Sequence, residues 1–188
     1  MHTSTLPASH DAIVAATKTW LEKAVIGLNL CPFAKAVHVK NQIRYVVSTA
    51  RNTDALLDDL EAELQTLHAA DPAEIDTTLL IHPDVLQDFL DYNDFLETAD
   101  GVVEELELDG EIQIASFHPH YQFAGTGAND IENYTNRSPY PILHLLRESS
   151  IESAVEAFPQ AETIFEKNME TLRELGLEGW QQLGLSKP

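Results

Sequence analysis

Three short runs of aliphatic and β-branched residues, each separated from the next by a stretch with helical periodicity, limit this chain to few folds. The runs are Gln42–Ala50, carrying Ile43, Tyr45, Val46 and Val47, then Thr77–His82, then Ile112–Phe117. Between the first two, Leu56, Leu57, Leu60, Leu64 and Leu67 recur at the spacing of one buried helix face, with Asp58, Asp59, Glu61 and Glu63 turned to water. Asn52 or Thr53 caps that helix and Asp71-Pro72 ends it. Between the second and third runs, Asp84–Leu108 reads as helical, with Val85, Phe89, Phe95, Leu96, Val103 and Leu106 inward and a break near Tyr92-Asn93-Asp94. Strands joined through helices are normally parallel with right-handed crossovers. The expectation is an α/β fold with a small helix-covered sheet of three to four strands, parallel or mixed.

Before the first run, Ser9 is placed to cap a helix whose stripe is Ile13, Ala16, Trp20, Leu21, Ala24 and Leu28, with Gly27 and Asn29 as its stop. Pro32 suits the first position of a second short helix, which would put Cys31 at its N-cap. After the third run comes a polar loop, Gln122–Tyr140. The segments Pro141–Arg147, Ile151–Phe158 and Ala161–Leu175 then read as extra C-terminal helices. Residues 1–8 read as a flexible tail and 9–188 as one domain, with no internal repeat.

Charge bounds the partners. The chain has 31 acidic against 11 basic residues, a formal net charge of -20, which disfavours nucleic acid and anionic lipid. One cysteine, Cys31, allows neither an internal disulfide nor a cysteine-rich zinc cage and suits a reducing cytoplasm. The opening stretch Met1–Asp11 has neither a basic nor an apolar signal region, and no apolar run approaches the roughly 20 residues of a membrane span. A soluble cytoplasmic protein is expected, with no membrane partner.

In a parallel α/β sheet, ligands bind beyond the carboxyl ends of the strands. Those ends are Ser48-Thr49, His82, and the stretch Ser116-Phe117-His118-Pro119-His120-Tyr121, from which the long loop departs. Three chemistries are open there. His118 and His120, two apart on extended backbone, with His82 from a second strand end, suit a divalent transition metal such as zinc or iron, with Tyr121 as acid or hydrogen-bond donor. Alternatively, Cys31 at a helix N-terminus is a nucleophile with His118 or His120 as its base. In the third, the Pro-fixed segment Asn136-Arg137-Ser138, with His144 on the following helix, holds a small anionic molecule without chemistry. The reading that gathers these features is a small-molecule enzyme with a polar, histidine-rich pocket at the strand carboxyl edge.

Leu30-Cys31-Pro32-Phe33-Ala34, Gln113–Pro119 with Tyr121-Gln122-Phe123, and Asn133–Pro141 with Leu143–Glu148 resemble segments of the bacterial domain-of-unknown-function 1415 family. The resemblance runs from the first helix to about Leu175. It implies a single intracellular domain, and no activity, cofactor or catalytic residue.

Overall fold

The computed structural model describes residues 8–158, 160 and 163–185. Most of the expected tail, and the first two residues of the segment expected at 161–175, lie outside them.

Helix α1 (His10–Trp20) starts where the Ser9 hydroxyl accepts a hydrogen bond from the Ala12 N–H at 3.2 Å. It runs into a wider π-helical turn, Leu21–Ile26. That widening moves the buried stripe to Ile13, Trp20, Leu21, Ala24 and Val25, and Leu30 is buried in place of Leu28. Gly27 keeps a right-handed backbone, but a Cβ added there would collide with the carbonyl oxygen of Lys23. Left-handed geometry falls to Asn29, at φ 55°. Helix α2 (Ala34–Val39) has Phe33 as its cap residue, so Cys31 and Pro32 stand ahead of the helix and the expected N-cap cysteine is not formed.

Strand β1 (Ile43–Val47) leads to α3 (Thr53–Ala69), capped by Asn52 Oδ1 on the Ala55 N–H at 2.9 Å. Leu56, Leu60, Leu64 and Leu67 of that helix have no exposed surface. Strand β2 (Thr77–Ile81) is buried throughout. Helix α4 (Phe89–Glu105) begins at an Asp88 cap and is unbroken, contrary to the break expected at Tyr92-Asn93-Asp94. Tyr92 is instead a fully buried inward position. Strand β3 (Ile112–Phe117) follows, and a 3-10 turn at Ile131–Asn136 orders the second half of the polar loop.

The main correction lies at Ile142–Arg147, expected as a helix and found as strand β4. Leucine favours helix locally, but two neighbouring strands outweigh that preference. β4 lies between β2 and β3, antiparallel to both, in the order β1-β2-β4-β3. Pro139 and Pro141 set an extended approach into it. The sheet is therefore mixed, with β1 and β2 parallel. Arg147, at the end of β4, donates to the Ala70 carbonyl at 2.8 Å and also to those of Leu67 and Ile75, closing the C-terminus of α3. Helices α5 (Glu148–Ala157) and α6 (Ile164–Gln182) complete the fold; α6 is interrupted at Gly176, where φ is 64°.

Alternation along the strands sorts the core into two layers. Val46, Leu80, Leu143 and Leu145 meet α3 and α4, whereas Tyr45, Leu79, Ile81, Ile142 and Phe117 meet α1 and its π turn. Among the described residues no helix is long and apolar enough to cross a membrane. Gly27→Ala tests the tight π turn: thermal or urea unfolding should show a loss of about 1–3 kcal/mol. Parent-like stability would show that the turn relaxes freely.

Candidate functional site at the strand carboxyl rim

Because β1, β2 and β3 run in one direction, Ser48, His82 and His118 leave the sheet at a single rim, where β4 enters. The expected convergence of strand ends is present. What those ends do there differs from expectation.

Tyr92 organises the rim from below. Its hydroxyl donates to the Ile142 carbonyl at 2.7 Å and accepts from the Phe117 N–H at 3.1 Å. Phe117 and Ile142 are paired in register, so a phenol bridges the last rung of the β3–β4 ladder. The Tyr92 ring stacks on His82 with centroids 5.7 Å apart and lies 5.0 Å from His118.

Both histidines are fully buried. The Nδ1 of His82 is 3.0 Å from the Val85 carbonyl, so Nδ1 carries the proton. Its Nε2 is a buried lone pair with no partner among the described residues. In His118, Nδ1 accepts from the His120 N–H at 3.0 Å, leaving Nε2–H to donate to the Leu86 carbonyl at 3.0 Å. Burial pushes the pKa of His82 down to about 4, helped by its neighbour His118, and lowers that of His118 as well. Both imidazoles therefore stay neutral and act as rigid parts of the rim.

The expected metal set does not assemble. His118 has both ring nitrogens committed, His120 is exposed, and among the described residues no group of three His, Cys, Asp or Glu could hold a metal ion. The cysteine pairing is likewise not formed. Cys31 packs with the α1 layer, whereas His118 contacts Phe89 and Tyr92 of α4 on the other layer. Burial raises the Cys31 pKa; the nearby Phe33 and Ala34 N–H groups oppose that rise without overcoming it.

The remaining expected ligands are largely spent on structure. Asn136 donates to the Ser116 carbonyl at 3.0 Å and Ser138 to that of Tyr140. Ser48 donates to Asp59 at 2.6 Å. His144 lies inside β4, facing the α1 layer, with Nε2 2.7 Å from the Thr77 hydroxyl and its pKa pushed down to about 4 by burial. Since Thr77 gives its own proton to the Leu145 carbonyl at 2.7 Å, Nε2–H of His144 is the donor. The loop itself is built around Asn133, buried completely. Its Oδ1 accepts from the Phe123 N–H at 3.0 Å and its Nδ2 donates to the Gly127 carbonyl at 2.8 Å.

Three side chains remain available at the rim. His120 is exposed. Tyr121 packs on Phe89, and its hydroxyl receives only a long contact, 3.5 Å, from Ser116 Oγ, so the phenol proton is free. Arg137 lies 4.4 Å from the Tyr134 ring centroid and donates through Nε to the Tyr121 carbonyl at 3.2 Å and through Nη2 to that of Ala128. Its other N–H groups have no partner among the described residues. Two clefts on the described surface, one between Pro32 and α6 and one beside Tyr45, are lined by none of these three.

Two contributors were not evident from the sequence as site residues. Tyr92 was legible only as a hydroxyl on an apolar face, which needs a buried partner. Asn133 was legible as one polar residue among several in the loop.

Fold and rim together define a mixed four-stranded α/β protein with a neutral buried histidine pair beneath an arginine-clamped loop. The chain belongs to the family described as protein of unknown function DUF1415, whose model matches residues 12–182. No curated protein and no solved structure matches it.

Tyr92→Phe keeps the ring but leaves the Phe117 N–H and Ile142 carbonyl without their bridge, so urea unfolding should show a loss of about 2–4 kcal/mol. A cost under about 0.5 kcal/mol would mean that the two strands close the rung themselves. Acid provides a second measurement. A histidine whose folded pKa lies below its unfolded value resists protonation when folded, so its stabilising effect is complete above pH 6.5 and is lost as pH falls towards about 4. Unfolding free energy should drop through that window, with His82 alone contributing on the order of 3 kcal/mol. A flat profile between those limits would contradict neutral burial.

Proposed function

We propose that the protein binds a small anionic molecule at the strand carboxyl rim, with Arg137 as the anion-holding group and His120 and Tyr121 as the proton-carrying side chains beside it. The observation that carries this reading is the fixed guanidinium. Arg137 is held by two backbone carbonyls, one of them that of Tyr121, and by the Tyr134 ring, and the Tyr121 phenol keeps a free proton. Arginine held in one orientation loses little freedom on binding and offers paired N–H groups to a carboxylate or phosphate. In a chain with 11 basic residues against 31 acidic ones, a cation ordered by two carbonyls and an aromatic ring favours a specific anion over diffuse attraction.

A histidine and a phenol within reach of a bound anion allow proton transfer on it, which keeps a catalytic role within this reading. The same features fit binding alone. A single-domain cytoplasmic protein acting on small molecules accords with the lone cysteine and the acidic composition.

Thermal unfolding in the presence of small carboxylates and phosphate monoesters tests the proposal. A true ligand should raise the midpoint in proportion to the logarithm of its concentration. Arg137→Lys keeps the charge but loses the fork, and should weaken binding by about tenfold. His120→Gln, at an exposed ring, should leave the fold intact and separate binding from any turnover. If no anion stabilises the protein, or if Arg137→Lys binds as tightly as the parent, the rim is not an anion site.

A further inference from the structure

The two outer strands of the sheet are finished differently. In the order β1-β2-β4-β3, β1 and β3 each have one side without a neighbouring strand. Along β3 that side is partly closed. The Ile112 N–H donates to the Leu108 carbonyl at 3.0 Å, and the Asn136 side chain donates to the Ser116 carbonyl at 3.0 Å. Along β1 it is open. The Thr77 N–H donates to the Gln42 carbonyl and the Ser48 N–H to the Ile81 carbonyl, so Gln42, Arg44, Val46 and Ser48 are the residues that bond to β2. Ile43, Tyr45 and Val47 turn their N–H and C=O groups to the outer side, where none has a partner among the described residues.

The surface agrees with the hydrogen bonds. Every residue of β1 keeps part of its surface exposed, whereas β2 beside it is buried throughout. A cleft of about 580 Å3 borders the strand at Ile43 and Tyr45, so there is open space beside it. Proteins usually blunt such an edge with a proline, a bulge or an unpaired charge. β1 has neither proline nor bulge, and its one charge, Arg44, is spent on Glu63 at 2.7 Å. Ile43, Tyr45, Val46 and Val47 are strong strand formers, so the backbone is already extended for pairing.

Charge around this edge is the reverse of the chain as a whole. Residues 18–51 hold six of the 11 basic residues and one of the 31 acidic ones. Lys40 stands three residues before the strand and Arg51 four after it, both exposed. Lys18, also exposed, lies 5.0 Å from the Tyr45 ring centroid. None of these three pairs with a carboxylate among the described residues, and the one acid, Glu22, faces His38 at 3.4 Å. In a second copy of the same edge, like charges would meet across the ladder and oppose pairing. The cations that keep two copies apart attract a strand of opposite charge.

We propose that the outer side of β1 is a docking edge for an extended acidic segment of a partner protein, which adds to the sheet as a fifth strand. The backbone groups of Ile43, Tyr45 and Val47 supply the ladder, and Lys18, Lys40 and Arg51 select for carboxylates. The inference does not depend on the anion site at the rim, since it uses neither Arg137 nor His120 nor Tyr121.

Hydrogen exchange on the full chain reads the edge residue by residue. In the free protein the Ile43, Tyr45 and Val47 amides should exchange much faster than those of Arg44 and Val46, which bond to β2. The probe is a capped peptide alternating valine and glutamate, long enough to span the strand. At saturation it should slow exchange at Ile43, Tyr45 and Val47 by about tenfold or more. The same peptide with lysine in place of glutamate, or with every amide N-methylated, should bind about tenfold more weakly or not at all. Lys18→Glu combined with Lys40→Glu, both at exposed positions, should unfold like the parent and bind the acidic peptide roughly tenfold more weakly. Protection of the three amides in the free chain would overturn the proposal, because the edge would already be covered or paired with a second copy. So would equal binding of the lysine or N-methylated peptide, or a single-stranded oligonucleotide that binds the charged patch more tightly than the acidic peptide does.

Discussion

A single phenol joins the two halves of this sheet at the end that matters. β4 arrives last in sequence and inserts between β2 and β3, so the β2 and β3 ends meet only through it. At the rim end of that insertion, the Tyr92 hydroxyl connects β3 to β4, and its ring supports both His82 and His118. A hydroxyl in such a place must find both a donor and an acceptor, because no water replaces them. It finds them in the two backbone groups that the ladder would otherwise pair, and the interaction therefore fixes strand spacing and imidazole position together.

The histidines follow from that support. Three of the chain's eight imidazoles, His82, His118 and His144, are taken out of water and kept neutral by burial. His118 commits both ring nitrogens and His144 gives its Nε2–H to a hydroxyl, whereas His82 donates through Nδ1 and keeps a buried Nε2 lone pair. A histidine at a strand end reads in sequence as a chemical group, yet its most frequent use is as a polar wedge satisfied by backbone. Here the two uses are separated by only two residues. His118 is sealed, and its ring accepts the N–H of His120, whose own ring lies outside. Pro119 and His120 are the central residues of a turn that the Tyr121 N–H closes on the His118 carbonyl at 3.1 Å, and the turn sends one histidine inward and the next outward.

Much of this was legible without coordinates, and the misses share a cause. The β1–α3–β2–α4–β3 succession, the Ser9 cap, the inward leucines of α3 and the common rim all follow from local periodicity and cap chemistry, which act over a few residues. β4 was missed because its character comes from strands that are distant in sequence. Ile142-Leu143-His144-Leu145-Leu146 has a helix former at most positions and becomes a strand only between two existing ladders. The metal triad failed for a related reason. The spacing of His118 and His120 was right for a shared face, but the turn after Phe117 sends them to different environments, and spacing carries no information about turns.

Arg137 and Arg147, ten positions apart, show how the same residue type acquires opposite roles. Arg147 gives its guanidinium to three carbonyls at the end of α3 and is consumed there. Arg137 is also anchored by carbonyls, those of Tyr121 and Ala128, but its anchors lie in the loop that starts at the rim, not in a helix end. An arginine that closes a helix neutralises a fixed partial charge and has nothing left to recognise. An arginine that closes a loop keeps N–H groups for recognition, in a protein with 31 acidic against 11 basic residues. The proposed anion site therefore rests on the arginine of the pair whose guanidinium is not used up by a helix end.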